Sequence, residues 1–266
     1  MEHDSQIRII DDAAYAVLFL HGITGSPCHF SRVLPLVDAL PRDWSYYNLL
    51  LPGHGGSVSD FSRSTMKQWK RKVREVFLEL ADSHAQVVVV GHSMGTLFAL
   101  QLAAEFPDKI PLLFLIASPI HPRVSLRGMM LCLRAVAGAV RADRPDEMAI
   151  IQAGGIRLTR KLWMYIPWAR NMIALLWDAR QTKKLLPMVS TKAVIFQSRR
   201  DEMVSPSSAK ILSRYPSVKL TTLDDSTHFY YSADDLAQIL RAFSDECKWV
   251  QNREVKTKSK ERNYEA

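Results

Sequence analysis

Gly91-His92-Ser93-Met94-Gly95 places a hydroxyl between two glycines, directly after four valines and directly before an apolar run of helical spacing. A serine in a strained strand-to-helix turn has its Oγ lifted clear of the backbone. The residues two before and two after it then crowd so closely that only very small side chains fit. The helix that follows adds partial positive charge beside the hydroxyl, which favours a developing anion. The pattern is that of a nucleophile. A tight turn that merely holds a hydroxyl is the alternative, and the flanking strand and helix favour the nucleophile.

A serine hydroxyl is a weak nucleophile at neutral pH and needs a base. In sites built on such a turn the chain order is serine, acid, histidine. Of the eight histidines only His121 and His228 lie beyond Ser93. His121 opens a segment of different character, whereas His228 stands in DDSTHFYYS just after the last strand expected, so His228 is the candidate base. The base needs an acid to orient it and to stabilise the imidazolium. Asp201 follows AVIFQSRR, at the end of the neighbouring strand, from which a loop can approach the imidazole from the side. Asp224 and Asp225 are rivals on the histidine's own strand end, and Asp178 is a more distant third. An oxyanion hole needs two N–H groups aimed where charge develops. Met94, after the nucleophile, is one source, and Ile23, in the His21-Gly22-Ile23-Thr24-Gly25-Ser26 loop, is the other. His21 and His54 read as braces for their loops.

These residues must be held by elements at one edge of a sheet. Apolar runs predict strands over 16–20, 45–51, 87–90, 112–117, 193–197 and 218–223. Helical spacing predicts helices over 28–40, 65–81, 93–106, 207–213 and 234–250, with Pro35 a candidate kink in the first. Alternation of this kind means a mostly parallel central sheet flanked by helices on both faces, with ligands at the carboxyl ends of the strands. The rhythm breaks after the fourth strand in this reading. Residues 119–187 carry helical patterns, clearest at 129–140 and 172–186, and no strand pattern, and so read as a helical cap over the site. The core is then 1–118 and 188–250, and the polar, lysine-rich stretch 251–266 is expected to be a disordered tail.

The chain of 266 residues has 47% hydrophobic and 23% charged residues, an ordinary globular balance. No apolar run is long enough for a membrane span, and the first residues lack a secretory pattern. Three scattered cysteines, Cys28, Cys132 and Cys247, fit reduced thiols in a cytoplasm. No phosphate-cradling glycine pattern or metal-ligand spacing occurs, so no cofactor and no metal are expected. The net charge is +8, and residues 119–188 account for all of it, with twelve Lys and Arg against four Asp and Glu. The cap also holds Trp163, Tyr165, Trp168 and Trp177. Its arginines are either solvated above a packed apolar face, or they steer anionic substrates or rest on an anionic lipid surface. No nucleic-acid motif accompanies the charge.

HGITGS, LPGHGGS, GHSMG, SRRDEMV and STHF, in that order, resemble the α/β-hydrolase superfamily, and within it the small bacterial carboxylesterases and monoacylglycerol lipases. The resemblance spans roughly 15–118 and 190–250. It implies the α/β-hydrolase fold, a helical cap, no cofactor, and a serine hydrolase that cleaves carboxylic esters. In that reading Ser93, Asp201 and His228 are the catalytic set, and the Ile23 and Met94 amides form the oxyanion hole. Thr96 departs from the second glycine common after the pentapeptide. Thioester, lactone or C–C substrates, and a ligand-binding or membrane-surface protein without catalysis, stay open on the same fold.

Overall fold

The computed structural model describes residues 4–264, with side chains described as far as Arg253. Among these residues seven strands form one sheet: β1 (Gln6–Arg8), β2 (Tyr15–Leu20), β3 (Ser45–Leu49), β4 (Gln86–His92), β5 (Leu112–Ile116), β6 (Lys192–Ser198) and β7 (Val218–Leu223). Their order is β1-β3-β2-β4-β5-β6-β7. All neighbours are parallel except β1, which runs antiparallel to β3. The chain winds outward from β2 to β3, then crosses back to β4 on the other side of β2. The switch point therefore lies between the carboxyl ends of β2 and β4, where connecting loops diverge and leave a crevice.

Among the described residues eight α-helices accompany the sheet: α1 (Val58–Arg63), α2 (Met66–Ser83), α3 (Met94–Glu105), α4 (Leu126–Ala137), α5 (Pro145–Ala153), α6 (Trp168–Leu185), α7 (Ser207–Leu212) and α8 (Ala233–Tyr264). The four valines of β4 explain themselves by alternation. Val87 and Val89 enter a cluster with Trp69 and Phe77 of α2 and Leu97 of α3, while Val88 and Val90 enter the opposite one with Ile239 and Phe243 of α8. A central strand covered on both faces needs apolar residues at every position. Each valine so buried stabilises the fold by about 1.5–3 kcal/mol relative to exposure.

The expected helix over 28–40 does not form. Residues His29–Val33 make a single π-helical turn, in which the Leu34 amide donates to the His29 carbonyl at 2.8 Å. Pro35 has no N–H to continue it and drives Leu34 to extended geometry (φ −123°, ψ 93°). The three residues of β1 are too few to show a period, and α1 and α5 are short helices that the patterning did not reveal. Gly138, at φ 66°, ends α4 earlier than its apolar spacing suggests.

Between β5 and β6 the chain runs through α4, α5, a 3-10 turn at Leu162–Tyr165, and α6. Helix α6 docks on the core through polar groups. Asp178 accepts from Lys70 Nζ at 2.8 Å and from Gln101 Nε2 at 3.0 Å, and Asn171 donates to the Phe61 and Ser64 carbonyls. A stretch before the 3-10 turn docks through its backbone. The Gly155 amide donates to the Thr24 carbonyl, the Gly55 amide to the Gly155 carbonyl, and the Arg157 amide to the Gly56 carbonyl. No helix among the described residues is long and apolar enough to cross a membrane. Helix α8 runs on to Tyr264, and most of the tail expected over 251–266 lies outside the residues whose side chains are described.

Candidate active site

Ser93 stands between the end of β4 and the first residue of α3, with φ 51° and ψ −123°. That left-handed backbone is unusual for a residue with a side chain and is held by its surroundings. The Ser93 amide donates to the Ile116 carbonyl at 2.9 Å, and its carbonyl accepts from both the amide and the hydroxyl of Thr96. Thr96 therefore does more than pack: its Oγ1, 2.7 Å from that carbonyl, fastens the far side of the turn. The glycines are required by crowding. A Cβ on Gly91 would lie 2.8 Å from the Thr96 nitrogen, and one on Gly95 would overlap the Leu20 carbonyl oxygen.

His228 arrives on the loop between β7 and α8. Its Nε2 lies 3.1 Å from Ser93 Oγ, and its Nδ1 lies 3.0 and 3.1 Å from the two oxygens of Asp201. A carboxylate accepts, so Nδ1 carries the proton and Nε2 is left free to accept from the serine hydroxyl. Asp201 is itself fixed: its Oδ1 accepts from the amides of Met203 and Val204, each at 2.8 Å, and its Oδ2 from Gln197 Nε2 at 3.3 Å. Burial by itself pushes the His228 imidazole down, but the carboxylates of Asp201 and Glu202 outweigh it and hold the ring above its ordinary value. Such a line can take a proton from a hydroxyl and keep the resulting imidazolium stable.

The other candidates are placed elsewhere. Asp224 and Asp225 form surface ion pairs with Arg199 and Arg200, each at 2.8 Å, and Asp178 is taken by Lys70. His121 is exposed, and its amide and carbonyl bond to the strand-end region at Ser205 and Ser208. Ile23 follows Gly22 in the loop after β2, and that loop touches the elbow, since a Cβ on Gly22 would lie 2.9 Å from Ser93 Cβ. Met94 is the first residue of α3, where no intrahelical carbonyl reaches the N–H. Both amides thus border the crevice between β2 and β4.

The braces are visible in the hydrogen bonds. His21 Nδ1 donates to the Gly22 carbonyl at 2.8 Å, and its Nε2 accepts from the Leu51 amide at 3.1 Å. One neutral tautomer satisfies both, and burial lowers this imidazole to about 4, which keeps it neutral. His54 lies edge-on to it, with ring centroids 4.8 Å apart.

Three contributors escaped the sequence reading. Glu202, buried beside Asp201, accepts the His228 amide at 3.1 Å through Oε2. His92, inside the pentapeptide, donates from Nε2 to the His228 carbonyl at 3.1 Å, and its ring stacks on His29 with centroids 3.8 Å apart. The histidine loop is therefore gripped at its amide, its carbonyl and its ring. Gly155 slots against the Ile23 loop so tightly that a Cβ would overlap the Gly25 carbonyl oxygen. Adjacency to Asp201 and to Ser93 was the only linear signal for the first two, and nothing in the linear pattern marks Gly155.

Known proteins share this arrangement of the chain. A thermostable monoacylglycerol lipase of Bacillus sp. (strain H-257) is 27% identical over 205 residues, 76% of either chain. A solved structure of the metagenome-derived lipolytic enzymes LipS and LipT superposes with a TM-score of 0.70 at 19% identity, covering 93% of this chain and 98% of that one. The Paleococcus ferrophilus monoacylglycerol lipase superposes with a TM-score of 0.63 at 16% identity, over the same shares. At such identities the two structures speak for the fold. The alpha/beta hydrolase family profile matches residues 17–242, most of the sheet and everything between β5 and β6, and the chain belongs to that family.

Proposed function

We propose that the protein is a serine esterase that cleaves carboxylic esters, of short or medium acyl chains or of monoacylglycerols, through an acyl-enzyme. The observation that carries this reading is the hydrogen-bonded line Ser93–His228–Asp201 at the strand-to-helix turn. His228 takes the hydroxyl proton as Ser93 Oγ bonds to the ester carbonyl carbon. The carbonyl oxygen becomes an oxyanion, held by the Ile23 and Met94 amides. The tetrahedral adduct collapses, His228 gives its proton to the leaving alcohol, and the acyl group stays on Ser93. Water then repeats the sequence, with His228 as base, and releases the carboxylic acid. The Bacillus relative supports a monoacylglycerol among the substrates. Three free cysteines, two of them buried, suit a reducing cytoplasm.

The test is turnover of p-nitrophenyl and monoacylglycerol esters across acyl lengths by the wild type and by Ser93→Ala. The expected outcome is a loss of at least about 10³-fold with the fold retained. Near-normal turnover by the variant overturns the reading. A fluorophosphonate probe separates it from a silent ligand-binding protein, in which the serine is not activated and stays unlabelled.

A further inference from the structure

Helix α6 carries apolar side chains both inward and outward: Trp168, Met172, Leu175 and Ala179 pack on the core, and a second apolar stripe faces out. Its fully buried residues are Asn171, Asp178, Ala179 and Thr182, three of them polar, although Trp168, Met172 and Leu175 add half-buried apolar contacts. Its outward stripe is Ile173, Leu176 and Trp177, with Ile173 66% and Trp177 59% exposed. An ordinary surface helix turns its apolar stripe inward. Here that inward stripe is present, with Asn171, Asp178 and Thr182 beside it satisfied by Lys70, Gln101 and the Phe61 and Ser64 carbonyls, and a further apolar stripe is left outside.

Exposed apolar residues continue along the segment between β5 and β6, beyond the inward Leu131 and Ala135 of α4. On α4, Leu126, Met129, Met130 and Leu133 follow helical spacing on one stripe, and all are exposed. The end of α4 meets the approach to the 3-10 turn, since a Cβ on Gly138 would lie 3.3 Å from Arg160 Nη2. In that turn Trp163 is 65% exposed. Among the described residues, 14 of the 17 large exposed hydrophobics fall between 124 and 188. Single exposed apolar residues are commonplace, but three in one helical stripe, as on α6, mark a contact.

The segment also carries the whole +8 of the chain. Arg123, Arg180, Lys183 and Lys184 form no ion pair among the described residues. The charge chooses between occupants. Two copies meeting through this face would bring two strongly cationic surfaces together. A nucleic acid would neutralise the charge but leave the apolar stripes in water. Only a partner apolar in its depth and anionic at its surface satisfies both features.

We propose that the outward face of α6 docks on an anionic lipid surface. The Ile173, Leu176 and Trp177 stripe enters the headgroup boundary, and Arg180, Lys183 and Lys184 stay at the level of the lipid phosphates. The docking rests on surface residues alone and is independent of the chemistry at Ser93.

The test is sedimentation of the full chain with phosphatidylcholine vesicles, with and without phosphatidylglycerol, at low and raised salt. Binding is expected to be at least about tenfold stronger to the anionic vesicles and to weaken as salt screens the charge. The double substitution Ile173→Glu/Trp177→Glu is expected to lower it at least about tenfold. Circular dichroism and turnover of a water-soluble p-nitrophenyl ester should match the wild type. Lys183→Glu/Lys184→Glu should lower only the anionic component. Equal binding to both vesicle types, no binding, or full binding by the apolar variant overturns the proposal. So does a dimer in sedimentation velocity that Ile173→Glu/Trp177→Glu dissolves without any vesicle binding. The readout needs no turnover, so its failure is distinct from a failure of the esterase reading.

Discussion

The main-chain amide of His228 donates to Glu202 Oε2 at 3.1 Å, so two consecutive carboxylates hold one histidine, Asp201 by its ring and Glu202 by its backbone. Burial pushes the Glu202 carboxyl above the usual range, against the pull of the His228 imidazole and its amide. Glu202→Gln keeps an oxygen that can accept from the amide and removes the charge. One of the groups that raises the imidazole is then gone, so the ring stays neutral to lower pH. The acid limb of the kcat/KM profile should move to lower pH with little change in kcat. Glu202→Ala strands a buried N–H, which costs about 1–3 kcal/mol, and should lower kcat as the loop loosens. An acid limb that stays in place in the Gln variant would reduce Glu202 to a structural acceptor.

Asp201→Asn tests the tautomer. Two amides hold Oδ1 as an acceptor, so the new NH₂ group occupies the Oδ2 position facing His228 Nδ1. An NH₂ there donates, and the imidazole must present a lone pair to it. Its proton moves to Nε2, which then faces Ser93 Oγ with the wrong group. Turnover should fall by about 10⁴-fold with thermal stability nearly retained. Nitrogen NMR of the ring would report the switched tautomer directly.

Acid should unfold this protein through its buried histidines. Burial lowers His21 to about 4 and His29 to about 3, and it places His54 and His92 well below their ordinary value. Below about pH 6.5 the unfolded chain binds these protons and the folded one does not, so stability falls as pH falls. Each such histidine removes about 1.4 kcal/mol per pH unit until its folded value is reached. Urea unfolding between pH 7 and pH 4 should show that slope, and His29→Phe, which keeps a ring against His92, should make it shallower. An unchanged slope in the variant would show that His29 does not contribute.

Gly155→Ala should damage the site from a distance. Its methyl would overlap the Gly25 carbonyl oxygen, a backbone atom in the loop that carries Ile23. Either the loop or the crossing segment must shift. Overpacking of this kind costs about 1–3 kcal/mol. If the Ile23 amide serves the transition state, kcat should fall more than KM rises. A variant with normal kcat and only a lower melting temperature would confine Gly155 to stability.

Much of this protein was written in its linear pattern. Alternation of apolar runs and helical stripes determined a parallel sheet covered on both faces, because a strand buried on both sides tolerates no polar position. Gly91 and Gly95 announced the turn at Ser93, because no larger side chain fits beside it. Strand ends also narrowed the partners, since loops leaving the same edge of a sheet are the ones that meet. Other features belong to the tertiary structure alone. Asp201 rather than Asp224 or Asp225 meets His228, because those two turn outward to Arg199 and Arg200 while two amides hold Asp201 inward. The apolar spacing over 28–40 was real but served turns, because Pro35 removes the N–H a helix needs. Helix α6 shows the limit most clearly. Its periodicity marked a helix, yet that Asp178 lies buried on it depended on Lys70 and Gln101, which lie far away in the chain and satisfy it only once the fold brings them together.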